Sequence, residues 1–238
     1  MGIKSTEVFK SELDLIKDKE FKHHVINIIE GLPDYILEIP SSSTGKYHPS
    51  DEINKDGMQR HAKRCALLSK DMVLIDNFYS PYLDILIAGS IVHDMLKNGY
   101  LKSDSSYEKY TQDNHPIFIF DYIMKYLTES NTNFESASTE TSLILLSVIC
   151  LFHMGQWTPK EAKERFKQCF NRNCLTYEEG KLSEMMHLID YVVSRRNLFD
   201  IMNPSFFDKE RLENDAKFLQ PKKQAEKFFV KDMNKPKE

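Results

Sequence analysis

The sequence of 238 residues predicts an all-α fold. Apolar residues recur at helical spacing in one segment after another. No run of alternating apolar and polar residues reads as a strand. Glycine (8) and proline (9) are too scarce for the many tight turns of an all-β protein.

Taken in order, Val8, Leu13, Leu15, Ile16, Phe21, Val25, Ile28 and Ile29 make one apolar stripe within residues 6–39. This predicts a single helix ended by Gly31-Leu32-Pro33, with a short segment onward to Ile39. Pro40–Asp56 is rich in Ser, Thr, Gly and Pro and reads as a loop. A helix follows from about Gly57 to Ile75, with Met58, Ala62, Cys65, Ala66 and Leu68 on its inner face. Pro81 falls near the first turn of the next helix, where its missing N–H costs little. That helix carries Leu83, Ile85, Leu86, Ile87, Ala88, Ile91 and Val92, so it is apolar almost all round and predicted to be central. After the polar loop Lys102–Asn114, Asp113 or Asn114 caps a helix with Pro116 in its first turn, running to about Leu127. A second polar loop, Glu129–Ser138, precedes an apolar helix at about Thr139–Phe152. Thr158-Pro159-Lys160-Glu161 reads as an N-cap and first-turn proline opening a helix to about Phe170. The last strong helix runs from about Thr176 to Asn197. The predicted organisation is an N-terminal helical segment packing on the bundle (1–40), a core (41–200) and a charged C-terminal extension (201–238). Seven lysines from Lys217 to Lys237 stand in that extension against Glu226 and Asp232.

Hydrophobic residues at 41% and charged residues at 29% exclude a disordered charged tail. A net charge of −4 argues against bulk coating of nucleic acid, though not against a local pocket for a small nucleotide or strand end. Cys65, Cys150, Cys169 and Cys174 contain no C-x-x-C pair, which predicts reduced thiols. The polar N-terminus lacks a secretory apolar segment. The apolar run around Leu143–Phe152 is too short to span a bilayer. The expected location is cytoplasmic, with no membrane partner.

The chemistry lies in the histidines. His61 is on a predicted helix. His93-Asp94 ends the most apolar helix, His115 opens the following one, and His153 ends another. Asp190 lies on the last strong helix. Adjacent His and Asp near a core need partners, and a metal cation satisfies both. A mixed His/carboxylate set suits a divalent ion of intermediate hardness: Mn, Fe, Ni or Zn, with Mg at the carboxylate end. His61, His93, Asp94 and Asp190 supply one ion. His115 and His153 complete a second if Asp94 bridges, and two ions would clamp the attacking and leaving oxygens of a phosphoryl displacement.

The order His61, His93-Asp94, Asp190 resembles the HD-domain superfamily of metal-dependent phosphohydrolases. With His115 and His153 between, it looks like the subset that carries two metals. The resemblance covers about residues 41–197. The block Ser41–Pro49 (SSSTGKYHP), the Gly57-x-x-Arg60-His61 turn and HDMLKNG are similar to phage and prokaryotic HD proteins, and to the HD module of a bacterial 3′–5′ exoribonuclease. The resemblance implies an HD-type helical bundle with the metal site in its core. It also implies hydrolysis of a phosphoester by metal-activated water. Two-metal members often carry a His-His pair where this chain has the single His153. Residues 1–40 are too short and too helical for the relatives' nucleic-acid-binding barrel. The expected substrate is therefore a nucleotide, a cyclic nucleotide or a short oligonucleotide.

Around the ligands, Asp94 is expected to orient the nucleophile and Lys97 to neutralise developing charge on the phosphate. His48 is assigned phosphate binding or proton transfer, against a plain loop histidine. The stretch STGK is not a P-loop, because Pro40 stands where its first Gly is required and Tyr47 replaces the Ser/Thr. Ser43, Thr44 and Lys46 still offer donors to phosphate oxygens, and Arg195 offers a bidentate one, against a solvated helix end. His187, one turn before Asp190, shares its helix face. The polar loop Lys102–Asn114 is a candidate cover for the site. Two other functions remain: a non-catalytic nucleotide-binding module, and a small 3′–5′ nuclease using the Lys-rich tail.

Overall fold

In a computed structural model of the chain, residues 4–42, 45–129, 134, 136–171 and 176–195 are described. Among them the protein is all helical: α1 (Ser5–Val8), α2 (Lys10–Leu13), α3 (Lys19–Glu30), α4 (Gly57–Ile75), α5 (Leu83–Val92), α6 (His115–Glu129), α7 (Ala137–Phe152), α8 (Lys160–Asn171) and α9 (Tyr177–Val193). Short 3₁₀ turns cover Asp34–Leu37, Asn77–Tyr82 and Gly155–Trp157. None of these helices is long and apolar enough to cross a membrane. The expected extension 201–238 lies outside the described residues.

The bundle is built around α5, which packs on α4, α7 and α9. Every residue from Ile85 to Val92 is buried, so the helix needs apolar neighbours on all sides. Two small residues let those neighbours close. A Cβ at Gly89 would stand 2.5 Å from Ile149 Cδ1 of α7. On another side, Ser90 Oγ meets Ser69 Oγ of α4 at 2.9 Å, and each hydroxyl also lies within 2.9 Å of a carbonyl one turn back in its own helix, so one donates across the interface and the other to its carbonyl. Helices α6 and α7 pack together and complete the core with Ile119, Ile123, Leu146 and Ile149.

One expected element is corrected. The apolar stripe from Val8 to Ile29 is not one helix: the chain breaks between α2 and α3. Asp84 at the start of α5 accepts hydrogen bonds from Lys17 N (3.0 Å) and Asp18 N (2.8 Å), and Asp18 then caps α3 by accepting from Phe21 N. Tertiary acceptors satisfy the amides that a continuous helix would have used. The side chains still go inward, since Phe9, Leu13, Ile16, Phe21, Val25 and Ile28 are core residues. Pro81 lies near the first turn of α5, as expected, in the 3₁₀ turn that leads into it. Helix α9 ends at Val193, and its start is a full capping box between Thr176 and Glu179.

Candidate metal centre

Helix α5 ends at Val92, and the chain continues through a series of tight turns rather than leaving the core. Met95 N, Lys97 N and Gly99 N each bond the carbonyl three residues back. Gly99 reverses the chain at φ +81°, a conformation that L side chains resist. Tyr35 fixes this reversal, donating from its hydroxyl to Gly99 O (2.6 Å) and accepting from Asn98 N (3.2 Å). His93, Asp94 and Lys97 are thereby held together inside the bundle, all three buried.

The histidines share one device. His93 Nδ1 lies 3.1 Å from the carbonyls of both Gly89 and Ser90. His115 Nδ1 lies 2.7 Å from Gln112 O, and His153 Nδ1 lies 2.6 Å from Cys150 O. Each Nδ1 must donate, because a carbonyl only accepts. In the neutral ring this leaves Nε2 as a lone pair. Those three lone pairs point inward. His115 Nε2 and His153 Nε2 are 3.1 Å apart, and they stand 2.9 and 3.4 Å from Asp94 Oδ1. His93 Nε2 is 3.6 Å from Asp94 Oδ2 and 4.0 Å from Asp190 Oδ1. His93 Nε2 and Asp94 Oδ1 are buried without a hydrogen-bond partner. Acceptors facing acceptors in a dry site are unfavourable unless a cation or proton lies among them.

His61 enters from α4. Its Nε2 is 3.1 Å from Asp190 Oδ1 of α9 and 3.6 Å from Cys65 Sγ. Ser194 donates to the same Asp190 oxygen at 3.2 Å. The ligand-type atoms of His61, His93 and Asp94, of His93, His153 and Asp190, and of Asp94, His115 and His153 each lie within 4.8 Å of one another. The six expected ligands thus form one continuous cluster in the core, able to hold a metal ion. Asp94 lies at its middle, with Oδ1 toward His115 and His153 and Oδ2 toward His93.

Electrostatics sort these groups by charge. Burial pushes His93 down to about 4, against the pull of Asp94, and lowers His115 as well, so both stay neutral. Burial alone would raise Asp94, but the Lys97 ammonium and the imidazoles of His93 and His115 outweigh it and hold the carboxyl well below its ordinary value. Asp190 is likewise held far down, with His61 outweighing its burial. In the metal-free protein burial disfavours charge on His153 and His61. Asp94 overcomes this at His153, while Cys65, Asp190 and Glu52 do so at His61, and both are raised.

The remaining expected site residues divide. Lys97 Nζ is 2.5 Å from Asp94 Oδ2 and is kept protonated by that carboxylate despite its burial. His48 is no free loop histidine: its Nδ1 is 3.0 Å from Glu52 Oε2 and 2.8 Å from Ser41 Oγ. Its ring centroid lies 5.3 Å from that of His61. Arg195 lies at the end of α9, its guanidinium over the Tyr191 ring at 3.7 Å and near Tyr47 at 5.1 Å. Lys46 meets the same Tyr47 ring at 5.0 Å. Ser43 and Thr44 lie outside the described residues. In the loop Lys102–Asn114, Gln112 N bonds Lys97 O and Glu108 N bonds Asn98 O, which ties the loop to the turn that carries Lys97.

Glu52 is a site residue that the sequence did not reveal. It is fully buried. Oε2 faces His48 and, at 3.3 Å and poorly aligned, His61 Nδ1, while Oε1 accepts from Arg64 at 2.6 Å. The four-residue spacing of His48 and Glu52, and of His61 and Cys65, was available as a signal, but acidic residues in polar loops are too common to single one out. Gly57 explains how Glu52 gets there: a Cβ at Gly57 would collide with the Glu52 carbonyl, so glycine lets the loop lie directly on the start of α4. Cys65 and Ser41 are further contacts of this kind. His187 does share a helix face with Asp190, and its Nδ1 donates to His153 O at 2.8 Å.

Comparisons of the chain with family models, with curated proteins and with solved structures found no match.

Proposed function

We propose that this protein is a metal-dependent phosphohydrolase of the HD-domain class, acting on a phosphoester of a nucleotide or short oligonucleotide. One observation carries the reading: the Nε2 atoms of His93, His115 and His153 converge on Asp94 while each Nδ1 is occupied by a carbonyl. Ring nitrogens fixed in this way are the usual arrangement of metal-ligating histidine. The orphaned His93 Nε2 and Asp94 Oδ1 fit the same reading.

His61, His93, Asp94 and Asp190 would hold one divalent ion. His115 and His153, sharing Asp94, would hold a second. The donor set favours Mn, Fe, Ni or Zn over the harder Mg. Such ions, when bound, supply Lewis-acid charge to phosphoryl oxygens and activate water near neutral pH. The chain's own residues supply the rest. Lys97 keeps a positive charge beside Asp94, where a phosphate oxygen gains charge in the transition state. His48 is lowered by burial, which outweighs its bond to Glu52, so it is neutral and able to take a proton at the edge of the site. Arg195 and Lys46 border the same edge and attract the anionic substrate.

The test is metal content by elemental analysis of the wild type, Asp94→Ala and His153→Ala, with turnover of bis(4-nitrophenyl) phosphate in Mn²⁺. Bound metal, with activity lower by about 100-fold or more in Asp94→Ala, is expected. Metal-free protein, or unchanged activity in Asp94→Ala, overturns the reading. Metal bound with added nucleotides left intact would make the chain a binding module instead.

A further inference from the structure

Near the metal cluster lies a line of aromatic and cationic side chains, of which the reading above uses only Arg195 and Lys46 and leaves the three rings without a role. Trp157, the only tryptophan of the chain, is 52% exposed and lies parallel to Tyr191, with ring centroids 5.8 Å apart and planes 8° apart. Tyr191 stacks in turn with the Arg195 guanidinium at 3.7 Å. Arg195 reaches Tyr47, itself half exposed, and Tyr47 meets Lys46. Under Trp157 an open pocket of about 470 Å³ is lined by Phe152, His187, Leu188 and Tyr191. Arg195 Nε is buried without a hydrogen-bond partner.

The order along this line is Trp157, Tyr191, Arg195, Tyr47, Lys46. Half-exposed rings alternate here with cations in one continuous row. Rings that stack bases and cations that track phosphates are the two components of single-strand recognition. The line is linked to the cluster through neighbours in the chain. Tyr191 follows Asp190 in the chain, and Arg195 follows Ser194, which bonds Asp190. Tyr47 precedes His48, which is tied through Glu52 to the edge of His61. His187, in the pocket wall, bonds the carbonyl of His153. A strand laid on the line would therefore present a phosphodiester beside the metal cluster. The net charge of −4 does not oppose this, because the cations are local.

We infer that Trp157, Tyr191, Arg195, Tyr47 and Lys46 form a binding strip for a short single-stranded oligonucleotide, with Trp157 and Tyr191 stacking bases and Arg195 and Lys46 holding phosphates. The inference deepens the phosphohydrolase reading by choosing the oligonucleotide over the mononucleotide as substrate. Its test does not need turnover.

The full chain is titrated in EDTA with a tetranucleotide, a mononucleotide and ribose 5-phosphate while the fluorescence of Trp157 is followed. Stacking quenches the indole, so the tetranucleotide should quench, the mononucleotide should bind more weakly by roughly 10-fold, and ribose 5-phosphate should leave the signal unchanged. With a dye-labelled tetranucleotide, Trp157→Ala and Tyr191→Ala should each weaken binding by roughly 5- to 100-fold. Two phosphate contacts predict a log–log salt slope of about −1.4. Far-UV circular dichroism checks that the variants fold. Tyr191→Phe, which keeps the ring, should restore binding. Absence of quenching by the tetranucleotide, or equal affinity for the mononucleotide, overturns the strip. Either result leaves metal content and bis(4-nitrophenyl) phosphate hydrolysis to decide the phosphohydrolase reading separately.

Discussion

Burying a carboxylate costs several kcal/mol unless hydrogen bonds and opposite charge offset it. Glu52 is wholly buried, and burial alone would raise its carboxyl. The bonds to His48 and Arg64 and the nearby His61 imidazole outweigh this and hold it far below the ordinary carboxylate range. Its contacts tie two rings and a guanidinium to the loop that leads into α4. Glu52→Gln removes the charge while keeping the shape, so His61 loses one of its two anionic neighbours, keeping Asp190, and Arg64 retains Asp51. Metal affinity should fall by about 10- to 100-fold with the helical content unchanged, measured by competition with a chromophoric chelator. Unchanged affinity would show that His61 does not need Glu52. His24 provides a second case at this scale, far from the cluster. It is buried on Tyr126, with Nδ1 and Oη 2.8 Å apart, and burial, assisted by His23, lowers its pKa. A depressed folded pKa contributes stability that is present above about 6.5 and lost as pH falls through the folded value. Between pH 7.5 and 5.5 the wild type should therefore lose more unfolding free energy than His24→Gln. Equal losses in urea titrations would contradict the assignment.

At the scale of elements, the order of helices was legible because period and punctuation agree. Helix α4 begins at the glycine, and α9 is capped by the threonine, that the sequence marks. The break between α2 and α3 was not legible. Its apolar stripe is continuous, and the acceptor that opens it, Asp84, lies more than sixty residues away. Local pattern contains no record of such a partner. Asp84→Ala should strand the amides of Lys17 and Asp18. They are near solvent, so water takes over part of the loss, and the cost is about 1 kcal/mol. A melting temperature lower by about 2–4 °C is expected for a chain of this length. A variant that melts with the wild type would mean that Leu13 and Ile16 hold the break by packing alone.

Over the whole molecule, the six metal-ligand candidates lie on five separate helices or their ends and meet only because α5 is buried on every side. Their order along the chain was readable, as was their residue type. What brings them within reach of one another, the Gly89 and Ser90 approaches and the turn locked by Tyr35, is packing that no spacing encodes. The exposed line from Trp157 to Lys46 was unreadable for the same reason, since its members come from separate parts of the chain. The assembled cluster has a consequence for stability. Without a cation, the lone pairs of the neutral His93 and His115 rings face a carboxylate. An ion that binds only the folded state removes that repulsion and stabilises by RT ln(1 + [ion]/Kd), about 2.7 kcal/mol at a hundredfold excess over Kd. For a chain of this length that corresponds to a rise of about 5–10 °C in melting temperature. The wild type should therefore melt about 5–10 °C higher in Mn²⁺ than in EDTA, and Asp94→Ala, which lacks the shared carboxylate, should show little difference between the two. An equal rise in Asp94→Ala would place the ion outside this cluster, and the convergence of the imidazoles would then need a proton, not a metal, to account for it.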